Sequence, residues 1–547
     1  MIILDGALFQ RALYGAYKKL NEKKEEVNRL NVFPVPDGDT GTNMSLTMKS
    51  AAAQIERVKD LHVASVGKAL GNGSLMGARG NSGVILSQLC RGISEAVKDK
   101  ETIVTSDIAA ILGKATEMAY KAVMKPTEGT ILTVARSMSE FAAANVSHYT
   151  EIEDFLRAIL TEGNRTLAKT PDMLKALKDA GVVDAGGQGL LYLVAGFLET
   201  LTGEMTDEIL LPREEAAKSV SFDADPEDSD IRFGYCTEFF IRTRGDDYLA
   251  FRGEIEGLGD SIVCIGMDDV IKTHIHTNHP GKVLELALKR GALMDIKIDN
   301  MRLQHQHRLL TEKEEAQLGQ EPTASMKPNK PYGFVAVSLG AGFDSIFKDL
   351  MVDELVSGGQ TMNPSTQDLL EAVNRVAADT VFIFPNNKNI IMAAEQVDAL
   401  TEKRVIVIPS RSIPHGFTAL LQFDESATPE ENAEAMTESL NTVQIGQITY
   451  SIRDTEMDDL VIHEGDLIGL MNGHIVRVGQ NAEELVQQLV GAYVTDEHSL
   501  ITVYSGEDVQ EEQAQKLMEA LRSQWPEYDV EYERGDQPTY YYIFSIE

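Results

Sequence analysis

Apolar positions recur at helical spacing through the first two hundred residues. Behind Asp5, the residues Leu8, Ala12, Leu13, Ala16, Tyr17 and Leu20 fall on one helix face, and Asp5 is placed to cap that helix. The same period predicts helices over 44–57, 83–98, 105–124, 131–144, 151–167, 171–179 and 186–203. β-Branched alternation is scarce here, so an all-α segment is expected. The pattern then changes. FGYCTEFFIRT and DSIVCIGMDDVIKTHIHT alternate apolar and polar positions as half-buried strands do, and GKVLELALKRG reads as a short helix. Beyond residue 331, a strand, a polar loop and a helix recur three times, in GFVAVSLGAGFDSIFKDL, TVFIFPNNKNIIMAAEQV and RVIVIPSRSIPHGFTALL. That order predicts a parallel sheet covered on both faces. The tail, SLITVYSGED through YYYIFSIE, adds strand, helix and strand, a small mixed sheet.

Two polar, charged stretches, 211–231 and 311–331, read as solvated connections. They divide the chain into three expected domains: 1–210, mostly helical; 229–310, α+β; and 331–547, α/β. Composition supports packed cores, since 43% of the 547 residues are hydrophobic. The net charge of −35 argues against nucleic acid, which needs a basic face to displace counterions, and against docking on an anionic membrane. Three cysteines in so long a chain form no disulfide framework and fit a reducing compartment. The N-terminus carries Asp5 and no basic region ahead of an apolar run, so it does not read as a signal peptide. The most apolar stretch, Leu190 to Leu198, is far short of the roughly 20 residues that span a bilayer. The expectation is a cytoplasmic protein that is not membrane-embedded.

The sharpest motif is NVFPVPDGDTGTN, residues 31–43. Its prolines stiffen the approach and its glycines permit a tight turn. Asp37 and Asp39, two residues apart, can aim two carboxylates at one point, as hard divalent cations require. A surface Asp-Gly turn would have the same spacing, so the motif alone leaves both readings open. An EF-hand fails for want of the glycine at position six and the glutamate at twelve. A glycine cluster follows, GNGSLMGARGNSGVILSQL, with Ser82 placed to cap an apolar helix. Free N–H groups at such a helix start bind anions, and a merely flexible connection would carry the same glycines. It is neither a Walker loop nor a dinucleotide fingerprint. PTEGTILT (126–133) and VVDAGGQG (182–189) are two further punctuations of the same kind.

Together these residues resemble the ATP-binding DhaL or DAK2 domain of dihydroxyacetone kinases. Over nearly its full length the chain resembles the kinase subunit of bacterial fatty acid kinase, which joins a DhaL-like domain, a middle domain and a DegV-like domain. LNVFPVPDGDTGTNM (30–44) is the most specific match, supported by GARGNSG, PTEGTILT and QPTYYYIFSIE. The resemblance implies an N-terminal helical barrel with ATP at one mouth. Asp37 and Asp39 would bind two magnesium ions bridging the ATP phosphates. Thr40, Gly41, Thr42 and Asn43 would line the nucleotide, and Asn81 and Ser82 would hold phosphates. Gly129 and Thr130 would border the nucleoside, while Asp184, Ala185 and Gly186 would close the pocket. The small kinase subunits use a further metal-binding aspartate upstream. Its nearest counterpart here is Asn31, which offers only a neutral oxygen.

In KTHIHTNHP, His274 and His276 stand at i and i+2 on a strand, and Cys236 could add a thiolate. Such spacing also fits solvent-facing histidines beside an unrelated cysteine. The resemblance favours a zinc site at Cys236, His274 and His276, with His279 as a substitute. His305 and His307 lie in a helical-looking stretch, where i,i+2 side chains diverge. Cys90 and Cys264 read as core. In the last domain, Ser338, Gly340, Asn386, Asn387, Ser410 and His415 would converge if their strands are neighbours. Taken with the resemblance, the expected function is an ATP-dependent kinase acting on a fatty acid carboxylate presented by a separate DegV-like fatty-acid-binding protein, in a homodimer. The alternatives are a dihydroxyacetone-type kinase on a small polyol and a non-catalytic lipid-binding scaffold.

Overall fold

The computed structural model describes residues 3–31, 39–123, 125–205, 235–243, 248–267, 270–300, 330–359, 363–457 and 460–547. The chain forms two compact units, Met1–Glu214 with Met326–Glu547, and Glu215–Ser325. The stretches read as connections, 211–231 and 311–331, lie outside the described residues except that 330 and 331 already belong to a strand.

The helical part of the first unit comprises α1 (Gly6–Asn28), α2 (Thr40–Glu56), α3 (Val63–Met76), α4 (Gly80–Val97), α5 (Thr105–Ala122), α6 (Ile131–Asn145), α7 (Ile152–Leu167), α8 (Thr170–Met173), α9 (Lys175–Asp179) and α10 (Ala185–Leu201). Asp5 caps α1, its carboxylate accepting from Leu8 N–H at 2.8 Å. The apolar stripes of these helices meet in one core that includes Leu4, Phe9, Met48, Leu89, Cys90, Phe155 and Leu191. They leave a void of about 160 Å³ lined almost wholly by apolar side chains, among them Phe9, Met48, Leu86, Leu156 and Phe197.

Here the structure corrects two expectations. The glycine cluster at 71–89 is no flexible connection: its residues 80–89 open α4 and its residues 71–76 close helix α3. The glycines of α3 are contact surfaces: an added Cβ at Gly73 would lie 2.7 Å from Ala51 Cα on α2, and one at Gly67 would lie 2.4 Å from a Val97 methyl on α4. Val63, Val66 and Leu70 also enter the core, but the small packing positions between them obscured the period. The helix expected over 171–179 is broken into α8 and α9, with Leu174 extended between them.

The middle unit, Glu215–Ser325, contains β1 (Tyr235–Arg242), β2 (Gly259–Met267), β3 (Val270–Thr277) and β4 (Ala292–Asn300), antiparallel in the order β2-β3-β1-β4. Its helices α11 (Tyr248–Ile255) and α12 (Pro280–Leu288) contribute Phe251, Ile255, Val283 and Ala287 to a core with Phe239, Ile241, Cys264, Ile271 and Ile275.

The first unit resumes with a parallel four-stranded sheet. Its strands β5 (Lys330–Ser338), β6 (Glu354–Ser357), β7 (Ala378–Phe384) and β8 (Arg404–Val407) take the order β6-β5-β7-β8. Between and after them come α13 (Ala341–Asp349), α14 (Thr366–Arg375), α15 (Ile391–Glu395), α16 (Ile413–Leu420) and α17 (Pro429–Ser439). The tail is larger than its sequence suggests. β9 (Gln444–Tyr450), β12 (Leu467–Met471), β13 (His474–Gly479), β14 (Leu500–Ser505), β15 (Asp529–Arg534) and β16 (Tyr542–Ile546) make a six-stranded mixed sheet, with β10 (Thr455–Met457) and β11 (Leu460–Ile462) paired apart. Helices α18 (Ala482–Tyr493) and α19 (Glu511–Gln524) cover it. β16 lies between β9 and β14 with all five residues buried, which accounts for its apolar run.

The glycine contacts decide the sign of a substitution. In an exposed helix Gly→Ala gains up to about 1 kcal/mol. At Gly73 the new methyl meets backbone, so Gly73→Ala is expected to destabilise by about 1–3 kcal/mol. Gly113 on α5 has nothing nearer than a Ser139 hydroxyl at 3.9 Å, so Gly113→Ala should stabilise. Paired denaturant melts check both; a gain at Gly73 would refute the packing.

Candidate functional site

The first turns of α2 and α4 lie against each other. Gly80 adopts φ +56°, and a Cβ there would stand 2.5 Å from Asn43 Nδ2. Asn43 is buried, and its backbone oxygen accepts from Thr47 Oγ1 at 2.8 Å, a hydroxyl also 3.3 Å from Gly77 O. Gly41 fits directly on α1, where an added Cβ would come 2.1 Å from Lys24 O. Asp39 occupies the N-cap position of α2 without capping it. Its carboxylate instead accepts from Asn363 Nδ2 at 2.5 Å. Thr40 Oγ1 donates to Asn31 Oδ1 at 2.7 Å. On α4, Arg79 is the N-cap residue and Ser82 sits inside the first turn, correcting the expected cap.

Two asparagines of α1 hold this arrangement and escaped the sequence reading. Asn28 Oδ1 accepts from Thr42 N–H at 3.1 Å while its Nδ2 donates to Thr42 Oγ1 at 3.0 Å. Asn21 Oδ1 accepts from Ser45 Oγ at 2.9 Å. Their seven-residue spacing, two turns on one helix face, was the available signal.

The remaining sequence-predicted residues border the same end of the bundle. Gly129, at φ +83°, precedes Thr130, the N-cap residue of α6, and Gly129 N–H donates to Thr133 Oγ1 at 2.8 Å. Glu128 holds Arg136 through two 2.7 Å hydrogen bonds and accepts from Thr133 at 2.8 Å, which fixes the loop. Asp184 caps α10, accepting from Gly187 N–H at 2.6 Å and from the backbone of Ile131 on α6. Ala185 is buried, and a Cβ on Gly186 would reach Ile131 at 3.2 Å. Gly189, one turn on, lies against Met44 of α2. Burial pushes the Asp184 carboxyl up to about 6, although both backbone N–H groups pull it the other way.

Asp37 lies outside the described residues, as do His305 and His307. In the middle unit, strand register pairs Cys236 with His276 and Glu238 with His274, while the side chains of Cys236, His274 and His276 lie outside those described. No group of three or more metal-ligating His, Cys, Asp or Glu side chains occurs among the described residues. His279 is exposed at the N-cap of α12, and Cys90 and Cys264 are buried. In the parallel sheet, Asn386 bridges its neighbours. Its Nδ2 donates to Val337 O at 2.9 Å, and its N–H donates to Ser410 Oγ at 3.0 Å. The cavity above, lined by Leu339, Asn386, Asn387, Ser412 and Gln537, encloses about 50 Å³. His415 packs beside it, bonded to Ser412 Oγ at 2.9 Å, and burial holds its imidazole down at about 4.

The chemistry of the helix-end site is two-sided. Among the described residues Asn81 Oδ1 and Asn363 Oδ1 are buried acceptors without a partner, Asn363 stands beside the Asp39 carboxylate, and oxygens of this kind suit a hard cation. The first-turn N–H groups of α2 and α4 suit phosphate oxygens. Magnesium and a nucleotide phosphate therefore fit the residues present.

Residues 34–199 match the DAK2 domain, and residues 232–308 and 333–547 match the middle and C-terminal domains of the FakA-like fatty acid kinase proteins. Protein YloV of Bacillus subtilis is 41% identical over 553 residues, covering 100% of this chain and 99% of its own. An uncharacterized protein of Staphylococcus epidermidis is 38% identical over 552 residues, with the same coverage. The chain belongs to the FakA-like fatty acid kinase family. A DegV family protein of Corynebacterium glutamicum aligns with 40% of this chain and 98% of its own at 16% identity and a TM-score of 0.33, too low to argue from. Among the described residues no helix is long and apolar enough to cross a membrane.

Asp184 gives a pH test. Its folded-state carboxyl titrates at about 6 against an ordinary 3.8, so the folded protein holds this proton more tightly than the unfolded chain. The stability it contributes is full below about pH 4 and is lost as pH rises through about 6. An asparagine side chain keeps the cap and abolishes the charge. Asp184→Asn is therefore expected to raise the ligand-free melting temperature at pH 7.5, by up to about 3 kcal/mol equivalent, with the gain shrinking at pH 5. A pH-independent difference would refute the burial argument.

Proposed function

We propose that this protein is an ATP-dependent kinase that phosphorylates the carboxylate of a fatty acid presented by a separate DegV-like fatty-acid-binding protein, giving an acyl phosphate. The observation that carries the reading is the helix-end site, where phosphate-seeking N–H groups stand beside the Asp39 carboxylate and two orphaned amide oxygens. Family membership supports the fatty acid as acceptor.

In this reading Asp37 and Asp39 hold magnesium, which would neutralise charge on the transferring phosphoryl group. Thr40, Gly41, Thr42 and Asn43 line the nucleotide, Asn81 and Ser82 face its phosphates, Gly129 and Thr130 border the nucleoside, and Asp184, Ala185 and Gly186 close the pocket. Asn28 and Asn31 keep Thr42 and Thr40 in place. The chain's task is positioning, because a fatty carboxylate is already ionised at neutral pH. Its oxygen attacks the γ-phosphorus, the bond to the β-bridging oxygen breaks, and ADP leaves with that electron pair. No proton has to be removed, so no general base is required beside Asp39.

ATP consumption should be measured with a lipid-loaded DegV-like protein, with dihydroxyacetone and with neither. Turnover only in the first arm is expected. Turnover with dihydroxyacetone favours the polyol kinase, and none anywhere favours a scaffold. Asp37→Ala and Asp39→Ala should each lower turnover by about 100-fold or more; retained activity would sink the magnesium assignment.

For the middle unit we infer a zinc site at Cys236, His274 and His276, supported by the register that pairs Cys236 with His276. Purified protein should carry about one zinc per chain, lost in Cys236→Ser. Absence of stoichiometric zinc would end this assignment.

A further inference from the structure

The α/β part of the first unit meets the helical part at the start of α4. Thr366 N–H donates to Ala78 O at 3.1 Å, and Arg79 forms an antiparallel bridge with Ser365. The Arg79 guanidinium bonds Asn363 O at 2.8 Å and lies 3.4 Å from the Asp368 carboxylate. Farther along α4, Asn81 Nδ2 meets Asn389 Oδ1 at 3.3 Å and Gln88 Nε2 meets Gln396 Oε1 at 3.0 Å. Ala78 and Val84 are fully buried in one apolar cluster with Val335, Leu369 and Ile390. The junction is thus packed core with a polar rim.

Asn363 stands where that rim reaches the site. It is 1% exposed. Its Nδ2 must face Asp39, because an amide oxygen would repel the carboxylate, and it donates there at 2.5 Å across 324 positions of sequence. Its Oδ1 is buried and, among the described residues, has no partner. Leaving such an acceptor unmade costs about 1–3 kcal/mol, and native proteins keep one chiefly where a ligand or ordered water completes it. Asn81 Oδ1, on the facing helix start, is orphaned in the same way. A Cβ built on Gly80 would lie 2.5 Å from Asn43 Nδ2 and 3.4 Å from Asn363 Nδ2, so both amides border the start of α4. Acceptor oxygens repel phosphate oxygens. They attract a cation or the waters it carries.

Building on the kinase reading, we propose that Asn363 is a positioning residue of the magnesium–nucleotide site: the α/β segment lends an amide that orients the Asp39 carboxylate and offers a neutral oxygen to the hydrated cation. The nucleotide site is then completed by residues more than three hundred positions downstream of the DGD motif, and magnesium-dependent binding reports on the seating of one segment against the other.

The test is calorimetric binding of AMP-PNP to the full chain, titrated with Mg²⁺ and repeated in EDTA. Asn363→Ala is expected to weaken binding about tenfold at limiting Mg²⁺ and to raise the Mg²⁺ needed for half-maximal binding several-fold, with binding in EDTA unchanged. Asn363→Asp, which sets a second carboxylate against Asp39, should lose more at low Mg²⁺ and recover at high Mg²⁺. Gln88→Ala breaks a junction contact away from the site and should leave the Mg²⁺ requirement unmoved. An unmoved requirement in Asn363→Ala overturns the proposal, as does an equal shift in Gln88→Ala, which would make the junction merely structural. Wild-type protein that fails to bind AMP-PNP with Mg²⁺ overturns the kinase reading itself, a result distinguishable from either.

Discussion

The first turns of α2 and α4 can meet only because residue 80 has no side chain. Any Cβ at Gly80 would strike Asn43 at 2.5 Å, and one at Gly83 would strike Thr47 Oγ1 at the same distance. At φ +56° glycine also incurs no steric penalty for its backbone. Two helix starts held side by side bring first-turn N–H groups, of which Thr42 N–H is already taken by Asn28, and two positive dipole ends to one spot. Such an arrangement favours anions. The chain supplies one, Asp39, which faces into the junction rather than capping its own helix. The site's binding chemistry follows from that close approach.

The carboxylates at this end of the bundle are not equivalent. Asp184 accepts two backbone N–H groups, which favour its ionised form, yet burial outweighs them and lifts the carboxyl to about 6. Desolvation wins there because no cationic side chain contributes to the shift. Elsewhere exposed pairs such as Glu95–Lys98 and Glu117–Lys121 neutralise part of the acidity at the surface. The net charge of −35 does not by itself decide the character of the site. What the acidity does demand is a cation wherever polyphosphate is to approach Asp39.

Most of the helical segment was legible because its stripes are apolar: the expected starts and ends of α2, α5, α6, α7 and α10 lie within a few residues of the observed ones. α3 was missed although Val63, Val66 and Leu70 enter the core, because glycines make the rest of its contacts and a period of small residues is invisible to a hydrophobicity pattern. The three strand–loop–helix units were legible for the same reason as the stripes. The six-stranded sheet was not, because β16 pairs with β9 nearly a hundred residues earlier, and strand order has no local signature. In the site, the motif residues announced themselves by glycine and aspartate spacing. Asn363 could not, because a single asparagine acquires meaning only through a tertiary contact with Asp39.

The parallel sheet bears on where a lipid could sit. Open α/β sheets bind ligands beyond the carboxyl ends of their strands, and in this chain those loops are partly engaged, although Ser338 Oγ, Asn386 Oδ1, Asn387 Nδ2 and Gln537 Oε1 have no partner among the described residues. Asn386 ties Val337 to Ser410, Asn387 Oδ1 accepts from Asn389 N–H, and Asn389 accepts from Asn81 on α4. Gln537 and Tyr540, from the approach to β16, line the same cavity and leave about 50 Å³. That is room for a water or so, whereas pockets for small molecules run to roughly 300–1,000 Å³. As it stands the cavity is too small for an acyl chain, and this end of the sheet serves as packing against α4.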